Sequence, residues 1–216
     1  ILIICMPSAV TSNYVTKLVN GNIALSVSLT AITASLSFIT IPFIFTVVSP
    51  MLISETIVLQ GLDFKKMSLS LLFITTIPVF IGIFINTKFH IFIKKINKFL
   101  SYSSLFLFLL IIIGAWIVEW VNVIEYYKTI GVLVALLSAV VLIMVNILVN
   151  IFKLNLENKR TIVIETFIQN GAMAIIVGEL TLGFGSGYMA IAAVYALFQY
   201  KVLCAWWFAK KFASSI

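Results

Sequence analysis

Long apolar runs, each closed by a short cluster of polar or basic residues, set the pattern of this chain. The runs are helix-length, about twenty residues each, and lack the ten-residue alternation of a membrane strand. They predict seven spans, at about 1–19, 22–48, 68–87, 101–120, 129–152, 161–180 and 185–209. The longest gap, "SPMLISETIVLQGLDFKKM" (Ser49 to Met67), carries Pro50, Gly61 and charges of both signs. It reads as a linker between two bundles. The segment "KFHIFIKKINKFL" (Lys88 to Leu100) is either a surface helix with its lysines among lipid headgroups or a plain loop.

Composition fixes the class. Hydrophobic residues fill 62% of the 216 positions and charged residues only 10%, against about half and a quarter in a soluble domain. The chain is expected to be an all-α integral membrane protein. It opens at Ile1 without an initiator Met or a basic flank, so it is expected to be part of a longer protein. The net charge of +7 is a topology signal rather than a nucleic-acid footprint. With loop sides numbered alternately, one side holds Lys17, Lys88, Lys94, Lys95, Lys98, Lys153, Lys159, Arg160, Lys210 and Lys211. The other holds Lys65, Lys66 and Lys128. The positive-inside rule then puts the C-terminus in the cytoplasm, of a plasma or inner membrane. Cys5 and Cys204 both fall within spans and read as small buried side chains, not a disulfide or metal site.

The polar residues inside the spans carry the chemistry. In "ILIICMPSAVTSNYVTKLVNG", Pro7 is followed by Ser8, Thr11, Ser12 and Asn13. Either the helix kinks there with its hydroxyls on its own backbone, or it breaks and exposes carbonyls, which membrane depth tolerates only inside protein or beside a wet cavity. In the next span Ser26, Thr30, Thr33 and Ser37 form one narrow helical stripe. Such a stripe serves helix packing or presents oxygen ligands. A weak echo links "TSNYVTKLVNG" (Thr11–Gly21) to "IQNGAMAIIVG" (Ile168–Gly178), each with an Asn eight residues before a Gly. Paired, interrupted spans of this kind point to the binding site of an inverted-repeat transporter.

The sixth span holds Glu165 and Gln169 on one face, with Asn170 and Gly171 directly after. Five of the ten glycines lie between Gly171 and Gly187, so the helix is expected to weaken from its middle onward. A carboxylate at this depth costs about 2.5–3.5 kcal/mol on insertion scales. It could be neutral and hydrogen-bonded, or balanced by a bound cation. The neighbouring donors are all oxygens, which suits a hard cation and not a transition metal, and one carboxylate best balances a monovalent ion.

These residues resemble a known family. "PSAVTSNYVTKLVNGNIALSVSLT" (Pro7–Thr30) resembles the Pro-Gly-Gly-x-x-Ser-Asn…Gly-Asp-x-Ala-Leu-Ser-Val-x-x-Thr pattern of bile acid:sodium symporters. "RTIVIETFIQNGAMA" (Arg160–Ala174) resembles their Arg-Thr-x-x-x-Glu-x-x-x-Gln-Asn segment. The resemblance implies ten helices in two inverted repeats, of which the seven spans are the last seven, with two broken helices crossing at the membrane centre. Residues 1–48 would end the first repeat, 49–67 would be the external linker, 68–120 a panel-type pair, and 129–209 the core of the second repeat. One sodium ion would bind Ser12, Asn13, Ser26, Thr30 and Glu165. A second would bind the Glu165 and Gln169 side chains with the Thr166 and Ile168 carbonyls, plus a Gln from a helix outside this chain. Thr11 and Asn170 would meet a small organic anion such as a bile acid. Sodium is the coupling ion, and no cofactor or other metal is implied. Ser8, Ala9 and Val10 depart from the pattern, as does Asn22 for Asp.

Other classes fit poorly. "GFGSG" (Gly183–Gly187) comes near a rhomboid-type Gly-x-Ser-Gly, but Phe184 stands where a Gly belongs. His90 lies in a predicted loop and Asp63 in the linker, so neither a Ser-His pair nor an aspartyl dyad forms within the bundle. An enzyme is not expected. A proton-coupled or sodium-independent carrier of the same architecture, or a non-transporting fragment, remains as an alternative.

Overall fold

The computed structural model describes residues 3, 5–52, 64–118, 120–182 and 188–213. Among the described residues every regular element is helical: α1 Thr11–Leu18, α2 Ile23–Leu52, α3 Phe64–Leu71, a π-helical turn Leu72–Thr76, α4 Ile77–Lys88, α5 His90–Val118, α6 Trp120–Ile151, α7 Leu156–Phe167, α8 Gly171–Leu182 and α9 Tyr188–Ala213. Among the described residues four stretches are long and apolar enough to cross a membrane: Ile23–Val48, Phe64–Lys88, Ile124–Ile151 and Ile191–Phe208. Their outward faces are apolar, with Leu36, Phe84, Leu133 and Phe208 all half exposed or more. Exposure of that kind suits a lipid surround.

Several boundaries differ from the sequence reading. The basic segment 88–100 is neither a separate surface helix nor a loop: from His90 it is the start of α5, which runs unbroken to Val118. A 29-residue helix is about 43 Å long, more than the ~30 Å hydrocarbon core, so its first turns can stand clear of lipid. Lys94, Lys95 and Lys98 are exposed there. Helix α6 starts at Trp120, well before the expected 129. The 49–67 linker is helical at both ends, since α2 continues to Leu52 and α3 begins at Phe64. Its middle, 53–63, and the "GFGSG" segment lie outside the described residues.

The short helices pack at the centre. Val163, Ile164, Phe167 and Ile168, all at or below 1% exposure, lock α7 against Ala9, Val19, Leu142, Val145 and Leu203. In a lipid surround such side chains stabilise the bundle by close packing rather than by removal from water. A second cluster joins α2 and α3 to α8 and α9 through Ile41, Leu71, Ala174 and Tyr195. Polar caps fix the ends. The Asn155 side chain accepts from the Asn158 N–H at 2.9 Å to start α7, and Asn22 Oδ1 accepts from the Leu25 N–H at 3.1 Å to start α2.

Gly171 permits a close approach of α8 to α9. A Cβ built on it would lie 2.8 Å from Ala196 Cβ on α9, where no atom can give without backbone movement. Gly171→Ala is therefore expected to cost about 1–3 kcal/mol by overpacking, read as a lower thermal unfolding midpoint in detergent. An unchanged midpoint would show that α9 yields freely.

Candidate functional site

Two non-helical segments, called breaks below, meet in the core. Residues 5–10 are non-helical before α1, and residues 168–170 are non-helical between α7 and α8. The two segments run antiparallel with Ser8 facing Gln169. Ala9 N–H donates to the Ile168 carbonyl at 3.2 Å, and Asn170 N–H donates to the Pro7 carbonyl at 2.9 Å. Backbone freed by a break at this depth must find partners in protein, and each segment supplies the other's. Pro7 thus lies in non-helical backbone ahead of α1, not within a kinked helix. The second break precedes Gly171 and contains no glycine, and α8 runs on through Gly178. The expected weakening from the glycines is therefore not what opens the helix. Tertiary partners hold it open: Gln169 N–H donates to Gln199 Oε1 at 2.9 Å, and Gln199 Nε2 donates to the Gln169 carbonyl at 3.2 Å. Asn170 Oδ1 then caps α8 by accepting from the Met173 N–H at 3.0 Å.

Beside this crossing lies Glu165, on the last turns of α7 and only 6% exposed. Ser8 and Thr30 donate to its Oε2, at 2.6 and 2.8 Å. Ser12 and Ser26 donate to Oε1. All four partners are neutral hydroxyls, drawn from the first break, α1 and α2. Ser26 also reaches Asn13 Oδ1 at 2.7 Å. A hydroxyl has one proton, so Ser26 serves either Asn13 or Glu165, and one acceptor is left over. Gln169 Oε1 is likewise buried with no hydrogen-bond partner, while its Nε2 donates to the Thr166 carbonyl at 2.8 Å. The cluster is therefore rich in oxygen lone pairs and short of protons. A hard cation fits that donor set.

The structure brings together Ser12, Asn13, Ser26, Thr30 and Glu165 as one group. Gln169 and the Thr166 carbonyl adjoin it across the break, and the Ile168 carbonyl is engaged by Ala9 N–H. The lower half of the α2 stripe takes no part. Thr33 bonds back to the Leu29 and Thr30 carbonyls, and Ser37 meets Thr75 at 3.1 Å. Thr11 Oγ1 pairs with Tyr200 OH at 2.7 Å. Sequence reasoning missed Ser8 as a partner of Glu165, reading it as one of the polar residues after Pro7 and as a departure from a pattern. It also missed Gln199, whose signal was the amide itself within the apolar run of α9, and Thr161, whose Oγ1 accepts from the Asn22 N–H at 2.8 Å.

A cavity of about 830 Å³ opens beside the crossing. Thr11, Asn170, Ala172, Val10, Tyr14, Tyr102 and Leu107 are among the residues lining it, as are Lys17 and Lys98. Both residues expected to meet substrate thus border one space between α1, α8 and α5.

In comparison with known proteins, no curated protein matches the chain. The model of the Sodium Bile acid symporter family matches residues 1–126. The matched region includes the first break and the α2 hydroxyls, and ends before Glu165. Covering more than half of the 216 residues, on a chain of apolar helices, that match means that the protein belongs to the sodium bile acid symporter family, whose members are membrane transporters.

Proposed function

We propose that this chain couples the movement of sodium to that of an organic anion. The carrying observation is Glu165, a buried carboxylate ringed by four hydroxyls beside two crossing non-helical segments, with Asn13 Oδ1 sharing the Ser26 proton with it and Gln169 Oε1 left without a partner. One ion would take Ser12, Asn13, Ser26, Thr30 and Glu165. A second would take Glu165, Gln169 and the carbonyls of Thr166 and Ile168. A bound cation neutralises the carboxylate and turns the hydroxyl lone pairs inward, which links ion binding to the geometry of the crossing. Anions would enter the adjoining cavity, where Thr11 and Asn170 stand at the N-terminal ends of α1 and α8 and favour negative charge. Its size accommodates a drug-sized organic anion.

The architecture that goes with this reading is the last seven helices of a ten-helix inverted repeat, with 68–120 as a panel-type pair and the remainder as core. The asymmetry of basic residues supports a cytoplasmic C-terminus in a plasma or inner membrane. The test is uptake into proteoliposomes of a panel of organic anions, with sodium replaced by choline and pH varied. Uptake that follows sodium and not the proton gradient is expected; uptake indifferent to sodium at every pH would end the reading.

Side chains around Glu165 should rank by what they offer the ion. Ser26→Ala and Thr30→Ala each remove one neutral oxygen and should raise the sodium concentration for half-maximal uptake about three- to tenfold. Ser8→Ala removes a donor to Oε2 but no ligand of the proposed set, and should shift it less. A larger effect from Ser8→Ala than from Ser26→Ala would reassign the ligands.

A further inference from the structure

A second cleft lies at the end of the bundle where α6 closes and α7 begins. It has a volume of about 340 Å³, and Asn20, Asn150, Lys159, Arg160, Trp206 and Trp207 are among the residues lining it. Among the described residues no carboxylate lines it. Lys159 Nζ donates to Asn150 Oδ1 at 3.0 Å. Arg160 donates through one guanidinium nitrogen to the Val19 carbonyl at 3.0 Å, and the same guanidinium lies 5.5 Å from the centre of the Trp207 ring. Both basic residues are half-buried. Two cations are thus held side by side in a cleft, each tied to a neutral oxygen, and among the described residues no lining group carries the opposite charge.

We propose that this cleft binds a phosphate group, and that the phosphate is the headgroup of an anionic membrane lipid. Arg160 retains further N–H donors in the planar fork that suits phosphate oxygens, and Lys159 adds a point charge beside it. The lipid source follows from position. The cleft is bounded by the ends of the membrane-length α6 and α9, where Trp206 and Trp207 sit, and indole rings beside basic side chains mark headgroup depth. The site is separate from Glu165 and rests on neither the sodium nor the anion reading. A phosphate seated there would link α6, α7 and α9 at their common end, and through Arg160 the chain that follows α1.

The test is lipid retention by the full chain purified in neutral detergent, read by native mass spectrometry. Phosphatidylglycerol and phosphatidylcholine serve as matched probes and inorganic phosphate as competitor. The wild type should retain phosphatidylglycerol in preference to phosphatidylcholine, and Lys159→Gln should reduce that retention about fivefold, the factor for one basic charge at a membrane surface. Lys153→Gln removes the same charge from the adjoining turn, outside the cleft, and should leave retention unchanged. Arg160→Gln should weaken it further; because Arg160 also holds the Val19 carbonyl, the Lys159 and Lys153 pair decides if that variant fails to fold. Inorganic phosphate that stabilises the wild type but not Lys159→Gln, without lipid preference, would keep the phosphate site and assign it a soluble source. Equal retention of both lipids with no effect of phosphate, or equal losses in Lys159→Gln and Lys153→Gln, overturns the proposal.

Discussion

Glu165→Gln is expected to abolish sodium-driven uptake while the protein still folds and reaches the membrane. The carboxylate accepts from Ser8, Ser12, Ser26 and Thr30. An amide keeps one acceptor oxygen and replaces the other with a donor, and the hydroxyls facing the new NH₂ can rotate to accept from it. Folding is therefore tolerated. The ion is not: a cation in this pocket would lose its only balancing charge, and an unpaired buried charge costs several kcal/mol, enough to lower affinity by more than about a thousandfold. The alternative, in which Glu165 merely ties α1, α2 and α7 together, predicts that a neutral amide is harmless, since it is easier to bury. Uptake by wild type and Glu165→Gln in sodium and in choline, at matched membrane levels, separates the two. Near-normal sodium-dependent uptake by the variant would refute the ligand assignment.

Gln199→Leu should be the most damaging change away from the ion cluster. Gln199 is 1% exposed, and its amide pairs with both the N–H and the carbonyl of Gln169 inside the second break. Leucine fills similar space but leaves the Gln169 N–H with no partner; the carbonyl keeps only its bond from the Gly171 N–H at 3.0 Å. An abandoned buried donor costs about 1–3 kcal/mol, and the lost bond to the carbonyl adds about 1. The expected result is an unfolding midpoint several degrees lower, with uptake falling in parallel. Gln199→Glu, which retains the acceptor for the N–H, should fall between the two. A Leu variant as stable as the wild type would mean that the break is held by its pairing with Pro7 and Ala9 alone.

Both arguments depend on residues of unequal visibility in the sequence. Glu165 stood out because a carboxylate is costly in lipid, and Ser26 and Thr30 because hydroxyls four apart share a helical face. The stripe left packing and ligation both open, and its two halves divide between them. Thr33 and Ser37 lie about 4.5 and 10.5 Å further along the helix axis from Thr30, beyond reach of one carboxylate, and they bond to the α2 backbone and Thr75 instead. An error did occur at α5. The Lys88–Leu100 cluster suggested an interruption, yet a helix needs no apolar face where it extends beyond the membrane, so its lysines simply continue it.

By itself the sequence determined the class, the placement of most apolar helices and the identity of the buried carboxylate. These follow from transfer free energies and helical periodicity, which act residue by residue. Only the tertiary structure decided where the second helix breaks, because an unpaired N–H at membrane depth is tolerated only where a distant group satisfies it. Here those groups are Gln199, thirty positions along the chain, and the backbone at Pro7 to Ala9. It also decided that Ser8 turns its hydroxyl to Glu165, 157 positions away. Hydrogen bonds have a reach of about 3 Å, so partners so far apart in sequence are fixed only once the chain has crossed itself.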